Sequence, residues 1–383
     1  METVLFYLAI AALCLWIAIG LELFIGNRAI GFLKDILPAQ PPLPKVSIII
    51  PARNEEKNIR EALQSVLKQD YGNLEFIIIN DRSTDGTGTI LAEMQREDSR
   101  LHIYEIKVLP SGWLGKNHAL QFGAERATGE ILLFTDADVI MQPSSISRAV
   151  RYLLDKKLDH LAIAPVINMP GYLLGVFTMT FTIFFSLYAL PWRVGNKNNR
   201  KHIGIGAFNM VRTEVYRAIG MHRPIALRPD DDMKLGKLIK INGYRQAFLH
   251  GEGLIQVEWY TSVRELIDGL MKNAFAGVEY SIVMIVASTV FQLSLNVWPF
   301  LALFTTGGAT WIMNLAIVLI ILAACIDAGR PQNLKPWYCI GFPLGTLMFL
   351  YILWRAMILN IRNDGINWRG THYSLAELKA NKV

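Results

Sequence analysis

The sequence is poor in cysteine. It has three in 383 residues, Cys14, Cys325 and Cys339. Each lies in an apolar stretch, at neither disulfide nor metal-ligand spacing, which excludes a disulfide framework and a cysteine-held zinc site. They read as small buried hydrophobes. The chain also lacks an internal repeat and a low-complexity tract, so a repeat array is excluded. Its most telling shortage is of charge over long intervals. Residues 3–21 carry none, nor do 161–192, 280–326 or 336–354.

Such gaps are as long as membrane-crossing helices, which need about 20 apolar residues. The first interval has no basic n-region and no clear cleavage site, so it reads as a retained anchor. The interval 280–326 is broken by "TTGG" at 305–308, enough for two helices and a tight turn, and 336–354 adds another. The expected organisation is an anchor (1–27), a domain at 45–255 with a membrane-associated segment at 171–192, an amphipathic interface region (256–279), apolar helices (280–360) and a tail (361–383). Arg28, Lys34 and Lys45 follow the first interval, and by the positive-inside tendency the domain faces the cytoplasm. The basic tail (Arg355, Arg362, Arg369, Lys379, Lys382) argues for that same side. One crossing before the domain and three after it would place the tail opposite. Charge and helix count disagree, unless a late segment is re-entrant.

Between these stretches the pattern alternates. "PAQPPLP" (38–44) reads as a stiff linker. Strands are expected at 45–52, 74–81, 101–108, 130–139 and 160–167, with helices at 55–69 (Asn54 as N-cap), 84–95, 116–128 and 143–156. Alternation of this kind predicts an α/β fold with a mostly parallel sheet covered on both faces. Ligands of such sheets bind beyond the carboxyl ends of the strands.

Acids collect at those ends. Asp136 and Asp138 close "LLFTDADV", where an apolar strand runs into two carboxylates. Mg²⁺ or Mn²⁺ takes carboxylate and phosphate oxygens and would explain the pair; capping of the next helix is the plainer alternative. Asp81 ends the second strand and can accept from a base N–H or a ribose hydroxyl. Asp85 with Gly86 reads as a turn and cap. Lys116, at a helix start after two glycines, suits a phosphate, or is an exposed lysine. Asp230, Asp231 and Asp232 precede an amphipathic helix. Repulsion among them raises at least one pKa and makes a carboxylate base available; decoration of the helix N-terminus is the alternative.

"IIIPARNEEKNI", "IIINDRSTDGT", "GKNHAL", "TDADV", "GAFNMVRTEVYRAIG" and "DDMKLGKLIKINGYR" occur in this order over residues 45–250. In these the chain resembles family 2 glycosyltransferases, and most of all the membrane-anchored branch that acts on lipids: ceramide glucosyltransferases and hopanoid- or carotenoid-associated enzymes. The resemblance implies a GT-A (Rossmann-like) fold, a nucleoside-diphosphate-sugar donor, a divalent metal (Mn²⁺ or Mg²⁺) and inversion at the anomeric carbon. By position it implies that Pro51, Ala52, Arg53 and Glu55 line the nucleoside pocket and that Asp81 contacts the base. Lys116 meets the diphosphate, Asp136 the donor ribose or sugar, and Asp138, with Asp136, the metal. Asp232 is the implied base, with Asp231 second; the family's Glu-Asp pair is Asp-Asp here.

The Gln-x-x-Arg-Trp element of processive synthases is missing. "QVEWYTSVRE" stands near its place, with Glu258, Trp259 and Tyr260. The tail "INWRGTHYSL" (366–375) resembles the ending of ceramide glucosyltransferases. The interval 161–192, followed by Arg193, Lys197, Arg200 and Lys201, reads as a membrane-dipping helix that admits a lipid; a full crossing is the alternative. The expected function is sugar transfer to a membrane lipid, with no nucleic-acid partner, in an integral protein of a bacterial inner membrane. Transfer to polyprenyl phosphate and a non-catalytic scaffold are the alternatives.

Overall fold

The computed structural model describes residues 2–382. In chain order, helix α1 (Glu2–Ala29) is followed by β1 (Gly31–Phe32), β2 (Val46–Ala52), α2 (Ile59–Leu67), β3 (Leu74–Asp81), α3 (Thr87–Glu97), β4 (Leu101–Ile106), α4 (Gly115–Ala124), β5 (Ile131–Phe134), β6 (Val139–Met141) and α5 (Ser145–Asp155). Next come β7 (His160–Ala164), β8 (Val166–Asn168), α6 (Tyr172–Ala189), β9 (Asn209–Arg212), α7 (Thr213–Ala218), α8 (Asp231–Ile241), β10 (Gln246–His250) and β11 (Ile255–Glu258). The remainder is α9 (Val263–Gly277), α10 (Ile282–Gln292), α11 (Trp298–Thr305), α12 (Gly308–Gly329), α13 (Phe342–Arg362), the hairpin β12 (Gly365–Trp368) and β13 (Thr371–Ser374), and α14 (Leu375–Ala380).

Two compact units emerge. The sheet unit holds residues 30–168, 191–258 and 377–382; the helical unit holds 2–29, 169–190 and 259–376. In the sheet unit eight strands run in the order β1-β10-β7-β9-β5-β2-β3-β4, parallel except for β9. The apolar runs "VSIII" and "FIII" are buried because helices cover both faces, as parallel sheets require. One core contains Ile48, Ile50, Phe76, Ile78 and Leu133, and the other Ile49, Ile77, Ile79, Leu132 and Phe134. The alternation of neighbours between the two cores is the period of two that a strand imposes.

Local differences from expectation have physical causes. The expected strand at 160–167 is cut at Pro165: β7 joins the large sheet and β8 pairs with β11 in a small three-stranded one. The helix expected from residue 55 starts at Ile59. The amides of Glu55 and Glu56, which would open its first turn, are held instead by Thr87 Oγ1 (2.8 Å) and Asp85 Oδ2 (3.2 Å). Asn54 has a left-handed backbone (φ 56°), and its Oδ1 accepts from the Thr84 amide at 2.8 Å rather than capping α2. Asp85 Oδ1 accepts from the Thr87 amide, the first of α3, at 3.0 Å.

Among the described residues five helices are long and apolar enough to cross a membrane: Glu2–Ala29, Tyr172–Arg193, Ile282–Thr305, Gly308–Gln332 and Pro336–Arg362. The third is α10 joined to α11 by a π-helical turn, Leu293–Val297. α9 is amphipathic and opens on Ser262, whose hydroxyl accepts from the Glu265 amide.

Candidate active site

In the large sheet β2 lies between β3 and β5, so the chain leaves β2 toward one side and returns on the other. A strand-order switch of this kind opens a crevice at the carboxyl ends of the strands. Register places Ala52 beside Asn80 and Ile49 beside Phe134. Arg53, Asp81 and Asp136 therefore follow neighbouring strand ends.

On the β2–β3 side the buried acid is paired. Asp81 is almost fully buried, and it accepts from Arg82 Nε at 2.7 Å and Nη2 at 3.0 Å. Arg53 Nη1 stands 3.7 Å from its other flank. Gly115, the first residue of α4, comes so close that a Cβ there would meet the Asp81 carboxylate. Pro51 is half-buried at the end of β2, whereas Ala52 is fully buried and its methyl packs in the core.

On the β5 side acids outnumber bases. Lys116, in the first turn of α4, places Nζ 2.7 Å from Asp136 Oδ1 and 3.9 Å from Asp231 Oδ2. Burial pulls the Lys116 ammonium down, but Asp136, Asp231 and Asp232 outweigh it, so its pKa stands well above the ordinary lysine value. Asp232, in the first turn of α8, accepts from the Gly206 amide at 2.9 Å and the Met233 amide at 2.7 Å. Burial raises its pKa; Lys116 and these amides oppose that rise without cancelling it. Lys116, Asp136, Gly206, Asp231 and Asp232 line one small cleft. Asp230 stands apart: it pairs with the buried Arg228 at 2.9 and 3.0 Å and pins the loop before α8.

Asp138 lies two residues beyond Asp136. Its Oδ1 is buried with no hydrogen-bond partner. Burial, followed by the charges of Asp136 and Glu55, pushes its pKa up to about 7. A buried carboxylate with an orphaned oxygen and like charges beside it fits a divalent metal. Among the described residues no three acidic, histidine or cysteine side chains make a full ligand set. Mg²⁺ or Mn²⁺ bound with a nucleotide takes one or two carboxylates and leaves its other positions to phosphates and water.

Sequence reasoning missed what draws these groups together. A Cβ at Gly206 would stand 2.8 Å from Asp136 Oδ2, 3.3 Å from Lys116 Nζ and 3.6 Å from Asp232 Oδ2. A Cβ at Gly204 would strike the backbone of Asp232, and one at Gly236 the backbone of Ile203. The two backbones meet glycine to helix, which brings the Gly206 amide to Asp232. The signal was "GIG" at 204–206, whose last glycine opens the quoted motif "GAFNMVRTEVYRAIG". Asn117 was missed as well. It is buried and donates to the carbonyls of Ile225 (2.8 Å) and Arg228 (2.9 Å), fastening the Lys116 helix to the loop before Asp231.

The profile of Glycosyl transferase family 2 matches residues 47–220. Among curated relatives, the 4,4'-diaponeurosporenoate glycosyltransferase of Staphylococcus haemolyticus is 25% identical over 244 residues, covering 61% of this chain and 61% of its own. An uncharacterized glycosyltransferase of Haemophilus influenzae is 40% identical over 118 residues, 31% of this chain and 35% of its own. The chain thus spans between a third and three fifths of these relatives' lengths. Among solved structures, the mannosyltransferase PcManGT of Pyrobaculum calidifontis, in complex with GDP-Man and Mn²⁺, superposes with a TM-score of 0.56 at 19% identity, over 93% of this chain and 98% of its own. That likeness is one of fold. Residues 47–220 thus match the family 2 glycosyltransferase model, and the sheet unit has a GT-A-like fold.

Proposed function

We propose that the protein is an inverting glycosyltransferase that moves one sugar from a nucleoside-diphosphate sugar to a lipid acceptor at a membrane. The observation that carries the reading is the cleft where Lys116, Asp136 and Asp232 meet beside the unpartnered oxygen of Asp138. Arg53, Glu55 and Asp81, with the backbone of Pro51 and Ala52, would hold the nucleoside at the ends of β2 and β3. Lys116 would face the diphosphate. Asp138, with Asp136, would hold the divalent metal, which when bound supplies positive charge against the departing diphosphate.

Asp232 is suited to be the base. Its raised pKa gives it more proton affinity than an exposed aspartate, and two backbone amides hold it in the cleft. It would take the proton of the acceptor hydroxyl or carboxyl as that oxygen bonds to the anomeric carbon. The bond from that carbon to the diphosphate breaks on the opposite face, which inverts the centre. Asp231 would support Lys116 from 3.9 Å. Support for a lipid acceptor comes from the apolar helices and from the relative named for a carotenoid acid.

The test offers membranes containing the protein labelled UDP-, GDP- and dTDP-sugars with Mn²⁺, followed by separation of the extracted lipids. Label is expected in one lipid with one donor and is lost with Asp232→Asn. Label in no lipid with any donor rejects the reading.

A further inference from the structure

We infer that the chain crosses the membrane three times, at α1, at α10–α11 and at α12, and that the last apolar stretch, 336–362, enters and leaves on the side of the sheet unit, which also holds the C-terminus. The inference rests on the membrane reading above.

In the helical unit α1 and α12 run in the same direction. A Cβ at Gly20 would stand 3.0 Å from Ile320 Cγ2, and at the ends of both helices Arg28 pairs with Asp327 at 3.0 Å. α10–α11 runs against them, because Trp311 Nε1 bonds Leu303 O at 3.1 Å across the turn into α12. One residue serves as a depth gauge. Trp16 Nε1 donates to Leu295 O at 2.9 Å, and the Trp16 ring meets the Phe342 ring with centroids 6.5 Å apart. Trp16 lies about 18 Å along α1 from Arg28 at the rise of an α-helix. Phe342, where α13 begins, is therefore already deep in the bundle.

From there α13 returns. Trp354 Nε1 donates to Thr289 Oγ1 at 2.9 Å. Thr289 precedes Leu295 on a helix that runs away from the Arg28 end, so it lies nearer that end. α13 thus heads back toward the side from which residues 330–341 came. It is a re-entrant arm rather than a fourth crossing.

The sheet unit agrees independently. Asn381 Nδ2 donates to Pro224 O at 2.9 Å, and the Leu227 amide donates to Asn381 Oδ1 at 3.0 Å. The tail is fastened to the same unit that follows α1. Crossings between residues 258 and 377 are then even in number, and α10–α11 and α12 supply two. α6 obeys the same constraint. Before it, β8 pairs with β11; after it, β9 pairs with β5 and β7 in the same unit. Both its flanks are on one side, so α6 lies in the leaflet without crossing, with Tyr172, Leu173 and Tyr188 exposed to it. The basic run Arg193, Lys197, Arg200 and Lys201 that follows suits an anionic leaflet surface. This topology removes the conflict between charge and helix count, because the basic tail and Arg28 come to the same side while "TTGG" comes to the other.

The test labels single cysteines, in a protein with Cys14, Cys325 and Cys339 replaced, using a membrane-impermeant maleimide on right-side-out and inverted vesicles. Lys57→Cys reports the sheet unit, Lys197→Cys the segment after α6, Gly307→Cys the α11–α12 turn and Lys379→Cys the tail. All four residues are exposed. The expected result is that Lys57→Cys, Lys197→Cys and Lys379→Cys label in one vesicle orientation and Gly307→Cys in the other. Lys379→Cys labelling with Gly307→Cys overturns the re-entrant arm, and Lys197→Cys doing so overturns the leaflet placement of α6. Equal labelling of all four in both orientations overturns the membrane reading itself. No sugar transfer is needed for any of these outcomes, so the result stands apart from that of the lipid-labelling test.

Discussion

The two sides of the crevice use the same residue types to opposite ends. At β2–β3, one buried aspartate, Asp81, is flanked by two arginines, Arg53 and Arg82. At β5 and α8, Asp136, Asp138, Asp231 and Asp232, with Glu55 beside them, face Lys116. In the first network the buried acid is paired within the protein. The second is short of positive charge, and the low dielectric of a half-buried site makes that shortage costly. A paired buried acid rigidifies a binding pocket; a surplus of acids is completed by what binds there. The difference separates residues whose loss damages the fold from residues whose loss damages the chemistry.

Four substitutions sharpen that contrast, in order of falling effect. Asp232→Asn removes the proposed base and leaves an acceptor for only one of the Gly206 and Met233 amides, and transfer falls about 10²–10⁴-fold, the usual scale of general-base loss; nucleotide binding, followed by titration, stays within a few-fold. Asp138→Asn removes the orphaned carboxylate. Mn²⁺-dependent donor binding falls about 10–100-fold, the scale seen when a metal site loses an interaction, yet the chelator-treated protein melts no lower than wild type, because a repelled buried charge has gone. Gly206→Ala drives a methyl between Asp136 and Lys116 and lowers turnover about tenfold, roughly 1.4 kcal/mol by the rate relation, with unfolding little changed. Arg82→Ala behaves the other way: it leaves Asp81 buried with part of its pairing lost and costs about 1–3 kcal/mol of stability, measured by denaturant unfolding. If Arg82→Ala left stability untouched while Asp138→Asn unfolded the protein, the contrast would be reversed.

What was legible in the sequence follows from how local each feature is. The strands were legible because "VSIIIPA" and "LEFIIIND" are apolar for long enough to be buried on both faces. The acids at their ends stood out because charge is rare beside such runs. Helix starts were less legible. Whether Glu55 opens a helix depends on Thr87 and Asp85, about thirty residues away. The role of Gly206 was hidden for the same reason: its meaning lies in the approach of α8, which no local pattern records. Ala52 shows a different limit. Position in a motif named it as a pocket residue, but the period of two along β2 turns its side chain into the core. The borders also moved. Residues 256–258 belong to β11 in the sheet unit, and 377–382 return to that unit from the tail.

The central claim is that the carboxylates at β5 await a cation that the donor's diphosphate shares. Binding of labelled nucleoside diphosphates to the purified full-length protein, titrated with Mn²⁺ and then with chelator, tests it most directly. Tight binding that appears with Mn²⁺, disappears with chelator and is lost in Asp138→Asn is the result predicted here. Binding equally tight in chelator, and unchanged in Asp138→Asn, would contradict it.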